Sequence, residues 1–336
     1  MMGRPLLSVR NLTVKFKTDE GLITAVDGTS FELNEGEILG LVGESGSGKS
    51  VTAKSLMLLN PGNTTYGDDG KITLRHEDRD IDVLSVSNSR DMLTIRGGAI
   101  SMIFQEPMAS FAPAITIGDQ MVEQLLLHSS MSKREARELS VEMLVRVGIS
   151  DAQQRFNQYA FELSGGMRQR AMIAMALSTQ PKLLIADEPT TALDVTIQAQ
   201  VLDLMKGLVA DFGMAILLIT HDLGVIAQTA DRVAVMYLGK IVETGSVRQI
   251  IRAPEHPYTK GLLNALPDLD DLAAPLTPVA GDIPSPLERP SGCVFHTRCP
   301  QVIAGRCDAE LPEFTDLGAG HRVSCFAVPP PVETSV

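Results

Sequence analysis

Basic residues are in the minority, with 29 Lys and Arg against 41 Asp and Glu, a formal net charge of −12 and a pI near 5.0. That balance gives no electrostatic footprint for a nucleic-acid backbone and no polybasic patch for an anionic membrane, so a free-standing nucleic-acid binder is disfavoured. Long hydrophobic runs are missing too. The strongest apolar stretches, such as Met214 to Ile219, are far shorter than the roughly 20 residues of a bilayer-spanning helix, and Met1 to Arg10 lacks a signal-peptide core. A cytosolic chain is expected. Cysteine is scarce, four in all, and in a reducing compartment these are expected to be free or metal-bound rather than paired. There is no repeat of solenoid period, and no low-complexity tract beyond the tail Val328 to Val336.

What is present is 336 residues that are 44 % hydrophobic, enough for two domains with a substantial core. Thirteen of the 19 prolines and all four cysteines follow residue 250, a composition shift that marks a boundary. Residues 1–250 read as a main domain, and residues 251–336 as a compact extension that the prolines between Pro254 and Pro290 keep free of long helices and central strands. Leu6 to Phe16 and Leu22 to Leu33 suggest an initial antiparallel β layer. Glu37 to Val42, Leu183 to Ala186, Ala215 to Thr220 and Val233 to Tyr237 have the length and flanks of buried, mainly parallel strands. Ser132 to Val147 and Gly166 to Leu177 have helical spacing. The class is α/β with a helical insertion at about 107–165.

Gly43, Glu44, Ser45, Gly46, Ser47, Gly48, Lys49 and Ser50, with Val51 behind them, match G-x-x-x-x-G-K-S after a strand and before a helix expected to run to about Leu59. Glycines at these positions let backbone N–H groups turn inward as an anion nest, the helix start adds its positive end, Lys49 supplies charge for β- and γ-phosphates, and Ser50 suits Mg2+. Asp187 and Glu188 end the buried strand Leu183 to Ala186, where an open α/β sheet presents its ligand edge. Asp187 is a partner for Mg2+. Glu188 is placed to polarise a water for attack on the γ-phosphorus, which implies hydrolysis as well as binding. His221 follows another apolar run and could hydrogen-bond the γ-phosphate, although a lone strand-end His is more often structural.

Leu163-Ser164-Gly165-Gly166-Met167 opens a second helix with two glycines and a serine, an anion cradle that one P-loop does not need. The order P-loop, Gln105, LSGGM, Asp187-Glu188, Asp194 and His221 closely resembles the ATP-binding subunits of ABC transporters over residues 6–245. The resemblance implies a P-loop ABC cassette that works as a dimer, with Ser164, Gly165, Gly166 and Met167 facing the partner's P-loop and Asp194 in a loop that crosses the dimer. It further implies that Lys49, Glu188 and His221 serve catalysis, that Ser50, Gln105 and Asp187 serve Mg2+, and that Phe16 stacks on adenine. Two departures stand out: Phe16 where the family more often has Tyr, and Met167 where Gln is commoner.

A closer resemblance covers the whole chain. Leu163-Ser-Gly-Gly-Met-Arg-Gln-Arg, His256-Pro257-Tyr258-Thr-Lys-Gly-Leu-Leu and Gly281-Asp-Ile-Pro-Ser-Pro286 look like the ATPase subunits of dipeptide and oligopeptide importers, and LSGGM resembles the first member of a two-ATPase pair. The implied partners are a second homologous ATPase, two membrane permease subunits and an extracytoplasmic solute-binding protein, with the chain on the cytoplasmic face of the membrane. Related importers carry peptides, nickel, glutathione or oligosaccharides. A soluble ABC ATPase acting on nucleic acid or ribosomes is the alternative; the single cassette and the absence of sustained heptads argue against it. Cys293, Cys299, Cys307 and Cys325 lack short zinc knuckles and match members of the importer family that carry a 4Fe–4S cluster. Iron–sulfur ligation, zinc and plain buried thiols remain open for them.

Overall fold

The computed structural model describes residues 4–77, 79–105, 110–190, 194–265 and 279–330. Its strands are β1 Leu7–Thr18, β2 Gly21–Leu33, β3 Ile38–Val42, β4 Thr64–Tyr66, β5 Lys71–His76, β6 Arg79–Asp82, β7 Ile100–Ile103, β8 Leu183–Asp187, β9 Ala215–Thr220, β10 Arg232–Tyr237, β11 Lys240–Ser246, β12 Phe314–Gly318 and β13 His321–Ser324. The chain divides into two compact units, one formed by Met1–Leu7, Leu33–Ile38 and Leu74–Ile219, the other by Ser8–Glu32, Leu39–Thr73 and Thr220–Val336.

In the first unit β7, β8 and β9 run parallel, with Ile103 opposite Ala186 and Asp187 opposite Ile219. All three are buried along their length, which explains the unbroken apolar runs in their sequences. The insertion is helical as expected. Helix Ile117–His128 starts at Thr116, whose hydroxyl accepts the Asp119 N–H, and helix Lys133–Arg146 starts in a Ser132/Glu135 capping box. Met121, Leu125, Met143 and Leu144 form its buried face. Gly118 is required there, because a Cβ on it would lie 2.2 Å from the Phe156 ring.

In the second unit β1 and β2 are joined through Asp19 and Glu20, a connection that only antiparallel neighbours allow. Short β4 adds to β1 with Phe16 opposite Thr64. A second sheet has the order β12-β13-β11-β10-β3, in which β10 and β3 are parallel and the other pairs antiparallel. The stretch after residue 250 therefore adds β12 and β13 to the sheet of β11, β10 and β3, which its proline-broken sequence did not suggest. The helix after the P-loop is shorter than expected and ends at Ser55 rather than Leu59. Leu58 turns left-handed (φ 50°), and the Asn60 amide bonds the Val51 carbonyl and the Ser55 hydroxyl, competing with a further turn.

Strand β10 and the residues after 250 share a core in which the Tyr237, Tyr258 and Phe295 rings lie 4.7–5.3 Å apart. Beside it, buried Glu243 accepts His321 Nε2 at 2.8 Å and the backbone N–H groups of Glu255 and His256 at 2.8 and 3.0 Å. His256 caps the helix Pro257–Asn264 through Nδ1, which accepts the Tyr258 N–H. Burial, and secondarily the Lys260 charge, pushes its pKa down to about 3. Above pH 6.5 the ring is neutral folded and unfolded and costs nothing. Between about 6.5 and 3 only the unfolded chain takes the proton, so stability falls by up to about 1.4 kcal/mol per pH unit. Urea titrations at pH 7 and pH 5 should therefore differ by roughly 2 kcal/mol from this group. His256→Asn, which can still cap the helix, should remove that increment; an unchanged pH dependence would exclude the assignment.

Candidate functional site

The second unit holds the P-loop. Gly43 (φ 154°) and Gly48 (φ 101°) take conformations that side chains rarely adopt, and a Cβ would lie 2.1 Å from the Met236 carbonyl at Gly43 and 2.5 Å from the Ala25 carbonyl at Gly48. Between them the loop turns on itself, the Ser47 N–H donating to the Glu44 carbonyl at 3.2 Å. Buried Lys49 donates from Nζ to the carbonyls of Gly43 (2.7 Å) and Glu44 (2.9 Å) and lies 3.4 Å from Ser47 Oγ. Ser50 and Val51 follow in the first turn of helix Lys49–Ser55. The loop thus folds its backbone around a buried lysine, the residue set that cradles phosphate. Gly43→Ala should cost at least about 2 kcal/mol and abolish nucleotide binding, readable by thermal unfolding with and without Mg-ATP.

The same unit contains Phe16, half-buried on β1, and His221, exposed one residue beyond β9. Asp222 next to it caps helix Leu223–Thr229 by accepting the Gly224 and Val225 N–H groups. Glu44 gives the loop an unexpected tie: its N–H donates to the Tyr258 hydroxyl at 2.8 Å, and its carboxylate receives Arg298 at 2.7 and 3.1 Å. Neither Tyr258 nor Arg298 was expected at the P-loop from sequence, because their partner lies 214 and 254 positions away.

In the first unit Asp187, only 3 % exposed, ends β8, and Glu188 follows with φ 49°. Left-handed backbone in a non-glycine residue costs free energy and persists where the surroundings enforce it. Here the Glu188 N–H is fixed to the Ile219 carbonyl at 2.8 Å. Gln105, just past β7, donates from Nε2 to the Glu188 carboxylate at 2.9 Å, so two sequence candidates meet directly. Ser164 caps helix Gly165–Ser178 by accepting the Met167 N–H at 3.3 Å, and Asp194 caps helix Val195–Phe212 by accepting the Ile197 N–H at 3.0 Å. Gly165 has open space around its would-be Cβ, whereas at Gly166 that Cβ would touch Ile197 at 3.4 Å. Ala192 and Leu193 lie outside the described residues.

The four cysteines cluster in the extension. Cys293 and Cys307 are buried, and Cys299 and Cys325 half-buried. The Gln301 N–H points at Cys299 Sγ (3.4 Å) and the Ile303 N–H at Cys307 Sγ (3.3 Å). Burial, reinforced by the neighbouring thiols, pushes the Cys293 thiol up to about 11. Among the described residues no three His, Cys, Asp or Glu side chains converge so as to hold a metal ion.

Residues 26–191 match the family model of the ABC transporter domain, and residues 242–307 that of the oligopeptide/dipeptide transporter C-terminal region. The chain is 50 % identical to the dipeptide transport ATP-binding protein DppD of Bacillus subtilis over 96 % of its own length and 94 % of that protein. It is 50 % identical to the oligopeptide transport ATP-binding protein AppD of the same organism (96 % of both chains), and 48 % identical to a putative peptide import ATP-binding protein of Brucella melitensis (97 % and 98 %). Among solved structures it resembles the ATP-binding cassette MJ0796 in a dimeric, post-hydrolysis state bound to ADP and Pi, with a TM-score of 0.63 and 26 % identity over 72 % of this chain and 99 % of that one. The chain belongs to the ABC transporter family, among the ATP-binding proteins of oligopeptide and dipeptide transporters. No helix among the described residues is long and apolar enough to cross a membrane.

Proposed function

We propose that the chain binds and hydrolyses ATP to energise the import of peptides through an ABC transporter. What supports this is that the similarity to DppD and AppD runs through the extension as well as the cassette, and that the P-loop keeps the backbone cradle and buried lysine that phosphate binding needs. The division of labour is a cassette over residues 1–250, with its insertion at about 107–165, and a peptide-importer extension over 251–336.

Lys49 and the N–H groups of Gly43–Val51 hold the β- and γ-phosphates, and Phe16 stacks on the adenine. Ser50 and Asp187, with Gln105, serve Mg2+, which supplies charge neutralisation on the phosphates. Glu188 accepts the proton of the attacking water and His221 hydrogen-bonds the γ-phosphate. Ser164, Gly165, Gly166, Met167 and Asp194 act on the nucleotide of a second, homologous ATPase chain. The assembly comprises that partner, two permease subunits and a solute-binding protein on the far side, with this chain on the cytoplasmic face. Nucleic acid has no part in it.

The finer reading of Cys293, Cys299, Cys307 and Cys325 as ligands of a 4Fe–4S cluster has their all-thiol chemistry and two N–H···S contacts in its favour. Among the described residues no three metal-ligating side chains form a metal-binding group. Anaerobic iron and sulfide analysis decides it, with about four of each per chain for a cluster and none for bare thiols.

The function is tested by affinity purification from detergent-solubilised membranes. Two permease subunits should accompany the tagged chain, and the complex should hydrolyse ATP faster when peptide-loaded binding protein is added. Recovery with nucleic acid or ribosomes and without permeases would refute the reading.

A further inference from the structure

The nucleotide loop carries its own carboxylate, Glu44, immediately after the first glycine, where a negative charge opposes an incoming polyphosphate. Every polar group of Glu44 is held. Its carbonyl accepts Lys49 Nζ and the Ser47 N–H, its N–H donates to Tyr258, and its carboxylate is engaged at both oxygens by Arg298. The two outside partners both come from the C-terminal extension.

Arg298 is built for this. Its side chain is 3 % exposed, and its five N–H donors are all used. Two go to Glu44, one from Nε to the Ala280 carbonyl (3.0 Å), one to the Val279 carbonyl (3.1 Å) and one to the Tyr237 hydroxyl (3.4 Å). A guanidinium buried and oriented this completely has no freedom to swing to another partner, and its fork fits the carboxylate in two-point fashion. Arg289, elsewhere in the extension, makes a parallel tie to β2, donating from Nη1 to the Thr24 carbonyl at 3.3 Å and forming an ion pair with the Asp27 carboxylate at 3.1 Å.

We propose that Arg298 is a positioning residue for nucleotide binding: from the extension it locks the P-loop through Glu44 and cancels the loop's own negative charge, so that ATP affinity depends on residues far outside the cassette motifs. The proposal rests on the reading of Gly43–Ser50 as the ATP phosphate site. Removing Arg298 frees the Glu44 carboxylate beside that site, which both loosens the loop and repels the phosphates. Neutralising Glu44 in the same chain removes the repulsion. The two substitutions should therefore compensate, and the salt dependence of Glu44→Gln separates a charge effect on the nucleotide from a merely structural role for Arg298.

The test is equilibrium binding of a fluorescent ATP analogue with Mg2+ to the full-length chain, for wild type, Arg298→Met, Glu44→Gln and the double variant, each checked for folding by thermal unfolding. Arg298→Met should bind about tenfold more weakly, and adding Glu44→Gln should recover most of that loss. Glu44→Gln alone, which leaves the Arg298 charge uncancelled, should bind about threefold more tightly at low ionic strength, an advantage lost in 0.5 M salt. Should Arg298→Met not fold, that salt-dependent gain in Glu44→Gln carries the test. Folded Arg298→Met with wild-type affinity, a double variant as weak as Arg298→Met, or no gain in Glu44→Gln would each overturn the proposal. Failure of wild type to bind, or undiminished binding by Lys49→Ala, would instead overturn the phosphate-site reading.

Discussion

Glu188→Gln should leave Mg-ATP binding within about threefold of wild type and lower steady-state turnover by at least about a hundredfold, the scale of a lost general base. The substitution is nearly isosteric. The backbone at φ 49° and its N–H bond to Ile219 do not depend on the side-chain charge, and an amide can still meet Gln105 through its oxygen. What disappears is the anionic proton acceptor. The effect belongs in kcat with little change in KM, as for an interaction made only in the transition state. Equal losses in binding and turnover would show that Glu188 holds the site's structure instead.

Lys49→Ala should act the other way, weakening ATP binding by at least about a hundredfold, the worth of a buried, charge-assisted contact to phosphate. Lys49 closes the loop by bonding the Gly43 and Glu44 carbonyls, so its removal also loosens the cradle. Isothermal titration with Mg-ATP measures the loss directly. Lys49→Arg should bind weakly as well, since a planar fork does not fit the point-charge geometry of the pocket. Wild-type affinity in Lys49→Ala would disprove the P-loop assignment.

Much of this was legible in the sequence because the relevant physics is local. Gly43 and Gly48 announce themselves, since only glycine tolerates their backbone and the approach of the Met236 and Ala25 carbonyls. Strands β3, β8, β9 and β10 were bounded to within a residue at either end, because strands buried on both faces leave unbroken apolar runs. Family resemblance implied separate roles for Gln105 and Glu188, whereas their direct contact is visible only in the fold. The premature end of the P-loop helix depends on the Asn60 amide reaching back, which propensity does not reveal. The pairing of Arg298 and Tyr258 with Glu44 was not legible, since contact across more than 200 positions leaves no local mark. The docking of β13 on β11 through Glu243 and Val323 was hidden for the same reason. For the cysteines the resemblance to cluster-bearing importers left iron–sulfur, zinc and plain thiols open, and among the described residues no three metal-ligating side chains form a metal-binding group.

The central claim, that ATP hydrolysis by this chain drives peptide uptake, is tested most directly by following a radiolabelled peptide into cells from which the chain has been deleted. Re-expressed wild type should restore uptake, and Glu188→Gln at equal abundance should not. Uptake untouched by the deletion, or restored equally by both forms, would contradict the account.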